Sequence, residues 1–264
     1  MPARLQIAAV VLVISLIGVP AAAMAHDMAG ALPAAPYGLF STFSAYTPET
    51  GRSAVAFSAE KSGSPDYYRY SSQLAFGITD EMEMNFTIPY TDDDYNAGME
   101  DVTLGIKHRF YDEKGYGPAL AYMVTLSAAS NTNRFSTDGS AGAGFIASKR
   151  VGPFKGHVNV FYTVPFRSKL NDEVRASAGV VFSADHNFKI LAEVIARTGY
   201  ETSDISYAEA RIGYRFLYGK NTYSTMGVGF GLKDNEPDYR VLLQLSLTFP
   251  YDEPIVEEAN GGEK

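Results

Sequence analysis

Tyr239-Arg240-Val241-Leu242-Leu243-Gln244-Leu245-Ser246-Leu247-Thr248-Phe249 is apolar at every second position, with Arg240, Leu242, Gln244, Ser246 and Thr248 between. Successive side chains of an extended strand point to opposite faces, so this spacing makes one greasy face and one mostly polar face. The stretch ends on an aromatic residue. The same alternation recurs upstream at 53–61, 68–78, 82–90, 99–111, 118–129, 139–150, 156–165, 174–184, 189–197, 205–216 and 222–232. Most of these runs have the roughly 9–11 residues that a tilted strand needs to cross a bilayer. Twelve runs, an even number, predict an all-β fold: a transmembrane antiparallel up-and-down β-barrel.

The start of the chain agrees. Arg4 is the lone charge before an apolar run from Ile7 to Val19, and Ala23-Met24-Ala25 places small residues at a cleavage position. This reads as a signal peptide, 1–25; the run is short for a spanning helix and Pro20 ends it. Loss of Arg4 reduces the 22 basic residues to 21 against 30 acidic, a mature net charge of −9. That balance argues against a nucleic-acid partner, which needs a basic footprint. The absence of cysteine excludes disulfides, thiolate metal sites and a cysteine-linked lipid. Tryptophan is absent too, so interfacial girdles would consist of the 18 Tyr and 16 Phe.

The connections form two interleaved sets. Those around Thr79-Asp80, Asp112–Gly117, Gly152–Lys155, Asp185–Asn187 and Leu217–Asn221 are tight or turn-like. Those at 62–67, 91–98, 130–138, 166–173, 198–204 and 233–238 tend to be longer and more polar. Five periplasmic turns, six outer loops and both termini in the periplasm follow. A soluble β-sandwich also alternates, but needs neither the signal nor this spacing. The barrel then occupies 53–249. Residues 26–52, rich in Ala, Pro, Ser and Thr, lie in the periplasm or fold into the lumen as a plug, with Tyr37–Tyr46 an alternative extra strand. The acidic tail 250–264 reads as periplasmic and disordered.

Strand parity sorts the side chains. Met82, Met84, Phe86, Ile88 and Tyr90 face lipid, as do Val102, Leu104, Ile106 and Phe110, then Val158, Val160, Tyr162 and Val164, then Ala208, Ala210, Ile212, Tyr214 and Phe216. The opposite parity carries Arg69, Lys107, Arg109, Arg175, Lys189, Arg197, Arg211, Arg215 and Arg240, with Glu60, Glu83, Asp101, Glu193 and Glu209. Charges inside a spanning segment need water or a partner. Two readings stand: a salt-bridged filling of a closed barrel, or a narrow aqueous path whose basic excess favours anions. Twelve strands lie between the widths of packed and open barrels. Outer loops carry Asp92, Asp93, Asp94, Glu201, Asp204, Asp234, Glu236 and Asp238, solvated tips or contacts to the divalent cations that bridge lipopolysaccharide.

Catalytic and metal motifs are sparse. His108 shares parity with the lipid face, His157 opens a strand at a turn, and His186 lies in a turn. No pair has zinc-site spacing. His26 becomes the first residue after cleavage, where amine and imidazole together offer a minor copper site. An outer-membrane lipase is the enzyme alternative, but no serine and histidine are placed for one and no G-x-S-x-G occurs. The expectation is a non-enzyme without cofactor.

Two segments carry a family likeness. Gly77-Ile78-Thr79-Asp80-Glu81-Met82-Glu83-Met84 runs on to Ile88-Pro89-Tyr90, and Gly98-Met99-Glu100-Asp101-Val102-Thr103-Leu104-Gly105-Ile106-Lys107-His108-Arg109-Phe110 follows. Together with Thr47-Pro48-Glu49-Thr50-Gly51-Arg52, they resemble the outer-membrane family named for the meta-pathway of phenol degradation. Glu100 stands where that family's pattern has a second glycine, and His108 where an aromatic is common. The resemblance implies a barrel and, by association, transport; it implies no phenolic substrate.

The expected protein is therefore a porin-like outer-membrane channel of a Gram-negative bacterium, monomeric or weakly oligomeric, passing a small solute by passive diffusion, an anionic one where the basic excess lines an open path. The alternative is a closed structural or surface-binding barrel. Expected partners are outer-membrane lipid, lipopolysaccharide, the solute and the barrel-assembly machinery. Assembly signals usually end on a final aromatic, a role assigned to Phe249 although Pro250 and the tail follow it.

Overall fold

The computed structural model of the chain describes residues 30–63, 66–130, 135–199, 205–233 and 238–250. The expected signal peptide, His26, nearly all of the tail, and the loop acids Glu201, Asp204, Asp234 and Glu236 lie outside them. Thirteen strands are present: β1 Ser53–Gly63, β2 Tyr67–Gly77, β3 Met82–Asp93, β4 Ala97–Met99, β5 Val102–Tyr111, β6 Ala119–Ala128, β7 Ser140–Val151, β8 Phe154–Pro165, β9 Glu173–Ser183, β10 Phe188–Thr198, β11 Ile205–Tyr218, β12 Thr222–Gly231 and β13 Tyr239–Phe249. Each pairs antiparallel with its neighbours in sequence, except that β4 and β5 both pair with β3, and β1 pairs with β13 from Ser53↔Phe249 to Gly63↔Tyr239, so the sheet closes on itself. Closure leaves the wall no free edge.

The wall has twelve positions, because β4 and β5 share one side of β3. The run expected at 99–111 is broken by a bulge. Tyr90 faces Met99 and Thr87 faces Thr103, so Glu100, Asp101 and Val102 stand opposite only Ile88 and Pro89. Pro89 has no N–H for the ladder, and its carbonyl accepts the Glu100 N–H at 3.0 Å. The extra residue reverses parity and turns Glu100 inward.

The outward face is apolar, including the exposed Leu104, Phe110, Val158, Val160, Val194, Ile212, Leu243 and Leu245. Rings cluster near the turn end, with Phe154 and Phe182 centroids 4.9 Å apart and Phe188 and Phe216 centroids 4.8 Å apart. His108 faces outward and shares a 3.1 Å hydrogen bond with Tyr122. At the turn end, the Thr79 hydroxyl accepts the N–H groups of Glu81 and Met82, closing the β2–β3 turn. β1 begins and β13 ends at this same end.

Candidate functional site

The lumen is occupied by the chain's own N-terminal segment. Gly30 lies in the loop-side half beside Thr103. The segment then descends past Leu32, whose N–H reaches Thr87 Oγ1 at 3.1 Å, to Ala34 against Ala54, Ala56 and Ala75. It reverses through an isolated bridge between Gly38 and Phe43, not an additional strand, and leaves along Thr47 and Thr50 into β1. The first described residue therefore sits toward the loops; the chain ends themselves lie outside the described residues.

Polar wall groups hold this segment. Glu193 accepts the N–H of Ser41 at 3.0 Å and of Thr42 at 2.8 Å, and Arg211 donates to Ser41 Oγ at 2.6 Å. Asn159 pairs with both backbone groups of Phe43, at 2.6 and 2.9 Å. Ser148 Oγ accepts the Ala45 N–H at 2.8 Å, while Lys107 donates to the carbonyls of Ser44 and Tyr46, each at 2.9 Å. Arg215 donates to the Gly38 carbonyl at 2.9 Å. Apolar contacts complement these: Leu39 packs on Val181 and Leu191, and Phe43 on Met123, Ile146 and Phe161. Inward glycines make room. A Cβ at Gly227 would lie 2.5 Å from the Phe40 ring, and one at Gly179 2.7 Å from Leu39.

Most inward charges meet a partner. Arg69 pairs with Glu100 at 2.6 Å, Lys107 with Glu83 at 2.7 Å, and Arg197 with Glu173 at 3.3 Å. Arg211 reaches Glu209 at 2.7 Å and Glu193 at 3.6 Å; Arg240 reaches Glu60 at 3.0 Å and Glu209 at 3.4 Å. Arg109 lies at the turn end and bonds the Asp80 carbonyl and Asp112. Arg175 lies 5.3 Å over the Phe161 ring. Asp101 is drawn off the lumen: its carboxylate accepts N–H groups of Ser130, Thr137 and Gly139, tying down the β6–β7 connection. Lys189 and Arg215 line a turn-side cavity.

Several inward residues escaped sequence reasoning. Glu100 was hidden by the bulge. Glu173 and Lys155 lie just ahead of the strands expected at 174–184 and 156–165, outside their alternation, whereas β9 and β8 begin at Glu173 and Phe154. Arg150, next to last in β7, shares the inward parity of Ile146 and Ser148. His157 is not at a turn mouth but buried, sharing a 2.8 Å hydrogen bond with Ser148. The spaces left around the segment among the described residues include a loop-side cavity of about 30 Å³ beside Gly30, Asp101 and Arg175, and a turn-side one of about 410 Å³. The smaller has room for about a pair of waters.

Where the segment enters the wall, the Asp80 carboxylate accepts both the hydroxyl of Thr50 at 2.7 Å and its N–H at 2.9 Å, and these bonds hold the carboxyl below its ordinary pKa. Glu113 in the β5–β6 turn is lowered too. Burial opposes this, but hydrogen bonds from Tyr46, Lys149 and the Arg150 N–H outweigh it.

No protein-family model matches the chain, and no curated protein matches it in sequence. Solved structures match in shape. The fold is that of an outer-membrane barrel. A crystal structure of an outer-membrane channel from Pseudomonas putida F1 is similar at TM-score 0.59 and 12% identity, covering 78% of this chain and 98% of that one. The NanC porin follows at TM-score 0.57 and 8% identity, over 74% and 98%. The KdgM porin in complex with disordered oligogalacturonate aligns at TM-score 0.53 and 6% identity, over 74% and 97%.

Proposed function

We propose that this chain is an outer-membrane channel held closed by its own N-terminal segment, passing a small anionic solute by passive diffusion when that segment is displaced. The observation that carries the reading is the polar seam between segment and wall. Glu193, Asn159, Ser148, Lys107 and Arg215 are committed to the segment's backbone, so its departure would leave a polar, charged wall able to solvate itself. Short turns on one end and longer connections on the other favour turns in the periplasm and loops outside. Membership in the family resembled by residues 77–110 belongs to the same proposal, as do export through 1–25, insertion read from Phe249 and lipopolysaccharide contact through the loop acids. No catalytic role is assigned. Oligogalacturonate, named with KdgM, is an acidic sugar chain, in keeping with an anionic solute.

The second reading is a closed structural barrel, favoured by the ion-paired filling around Arg211 and Arg240. Planar-bilayer recordings of mature protein and of a variant lacking 30–46 separate the two. The full chain should give rare, small steps; the deletion should give stable conductance with an anion-side reversal potential. A deletion variant that is heat-modifiable yet silent would establish the closed barrel, and a cation-side reversal would remove the anion assignment.

A further inference from the structure

The turn-side cavity is bounded by the N-terminal segment on one side and by strands β7 to β11 on the other. Its volume is about 410 Å³, within the range of small-molecule sites. Four strands each send one cation into it: Arg150 from β7, Lys155 from β8, Lys189 from β10 and Arg215 from β11. None of its described lining residues is acidic. Deeper in the barrel the pattern is the reverse, since Arg69, Lys107, Arg197, Arg211 and Arg240 each meet a carboxylate.

None of the four side chains forms an ion pair with a carboxylate among the described residues. Arg215 donates to Thr225 Oγ1 and to the Gly38 carbonyl, both at 2.9 Å. Lys155 Nζ sits 3.8 Å over the Tyr46 ring. The nearby Glu113 is already engaged by the Tyr46 hydroxyl, by Lys149 at 3.0 Å and by the backbone N–H of Arg150. Like charges gathered in a partly enclosed space repel each other and focus a positive potential there. A compact anion would relieve that repulsion, with guanidinium and ammonium donors for its oxygens and the Tyr37 and Tyr46 rings beside it.

We propose that this cavity is a binding site for one compact anion of two or more negative charges, carboxylate or phosphate, entered from the turn end. The site exists while the N-terminal segment is in place, so it does not depend on the pore opening.

Equilibrium dialysis of the closed, detergent-solubilised mature chain at low salt tests it with two probes, citrate and pyrophosphate. At least one should saturate at one site per chain; which one tells carboxylate from phosphate recognition. Arg150→Gln with Lys189→Gln removes two charges that hold neither the segment nor the wall, and should weaken binding about tenfold or more. Lys169→Gln, exposed at the loop end, should leave it unchanged. Failure of both probes to saturate, or a heat-modifiable double variant that binds like the parent, would overturn the site. Binding by a barrel that never conducts would leave it standing and overturn only the channel.

Discussion

Lys107 and Glu193 carry opposite charges and hold the same segment from opposite directions. Lys107 is fully buried, pairs with Glu83 at 2.7 Å and donates to the carbonyls of Ser44 and Tyr46. Removing one partner of such a pair strands the other charge, at a cost of about 3–5 kcal/mol. Lys107→Met should lower stability by that amount in denaturant titrations of the refolded barrel, and adding Glu83→Gln should recover part of it. Glu193→Gln keeps the acceptor geometry for Ser41 and Thr42 but drops the charge, so proteolysis within 38–46 should quicken while the barrel stays folded. Asp80 adds a pH dependence. Because its folded pKa is depressed, its tie to Thr50 is complete above the ordinary carboxylate value of about 4 and is lost as pH falls through the lower folded value. Hydrogen exchange at the Thr50 amide should accelerate over that acid range, and Asp80→Asn should remove the step.

At the scale of elements, the fit of segment to wall is steric as well as polar. Gly227 on β12 faces the Phe40 ring, which a Cβ there would approach to 2.5 Å. Gly227→Leu should unseat Phe40 and expose 38–46 to protease, and Phe40→Ala in the same chain should restore protection. β13 closes the barrel by pairing with β1 along its whole length, ending at Phe249↔Ser53. Phe249→Ala is expected to impair insertion and deletion of 250–264 to leave it intact, read as the heat-modifiable fraction in outer-membrane extracts. A normal fraction from Phe249→Ala would end that assignment. The bulge at Glu100–Val102 shows the opposite lesson: one extra residue placed a carboxylate beside Arg69, at 2.6 Å, on a face that unbroken alternation had assigned to lipid.

For the whole molecule, charge is distributed by end. Arg150, Lys155, Lys189 and Arg215 gather at the turn end, while the exposed Asp92, Asp94 and Asp238 stand toward the loops. A barrel emptied of residues 30–46 should therefore rectify, with current–voltage curves asymmetric about zero at 0.1 M salt. The asymmetry should shrink at about 1 M, where the screening length falls to about 3 Å. Symmetric curves at low salt would mean that the mouth cations are neutralised when the segment leaves.

Twelve wall positions, their boundaries within a few residues and, outside the bulge at Glu100–Val102, the lipid-facing parity were legible in the sequence. Alternation with period two is a local property, and a slip of one residue would turn an entire apolar face to water. The inward parity of Arg69, Lys107, Arg211, Arg215 and Arg240 followed from the same rule. What those charges touch did not, because the contacts join residues far apart in the chain: Arg240 meets Glu60 180 residues away, and Arg215 meets Gly38 across 177. Composition left residues 26–52 equally suited to periplasm or lumen. Only closure of the barrel brought Glu193, Asn159, Ser148 and Lys107 onto one backbone path, and only closure gathered four cations from four strands around a single cavity. Local periodicity determines a wall, whereas the contents of its lumen depend on contacts made across the closed barrel.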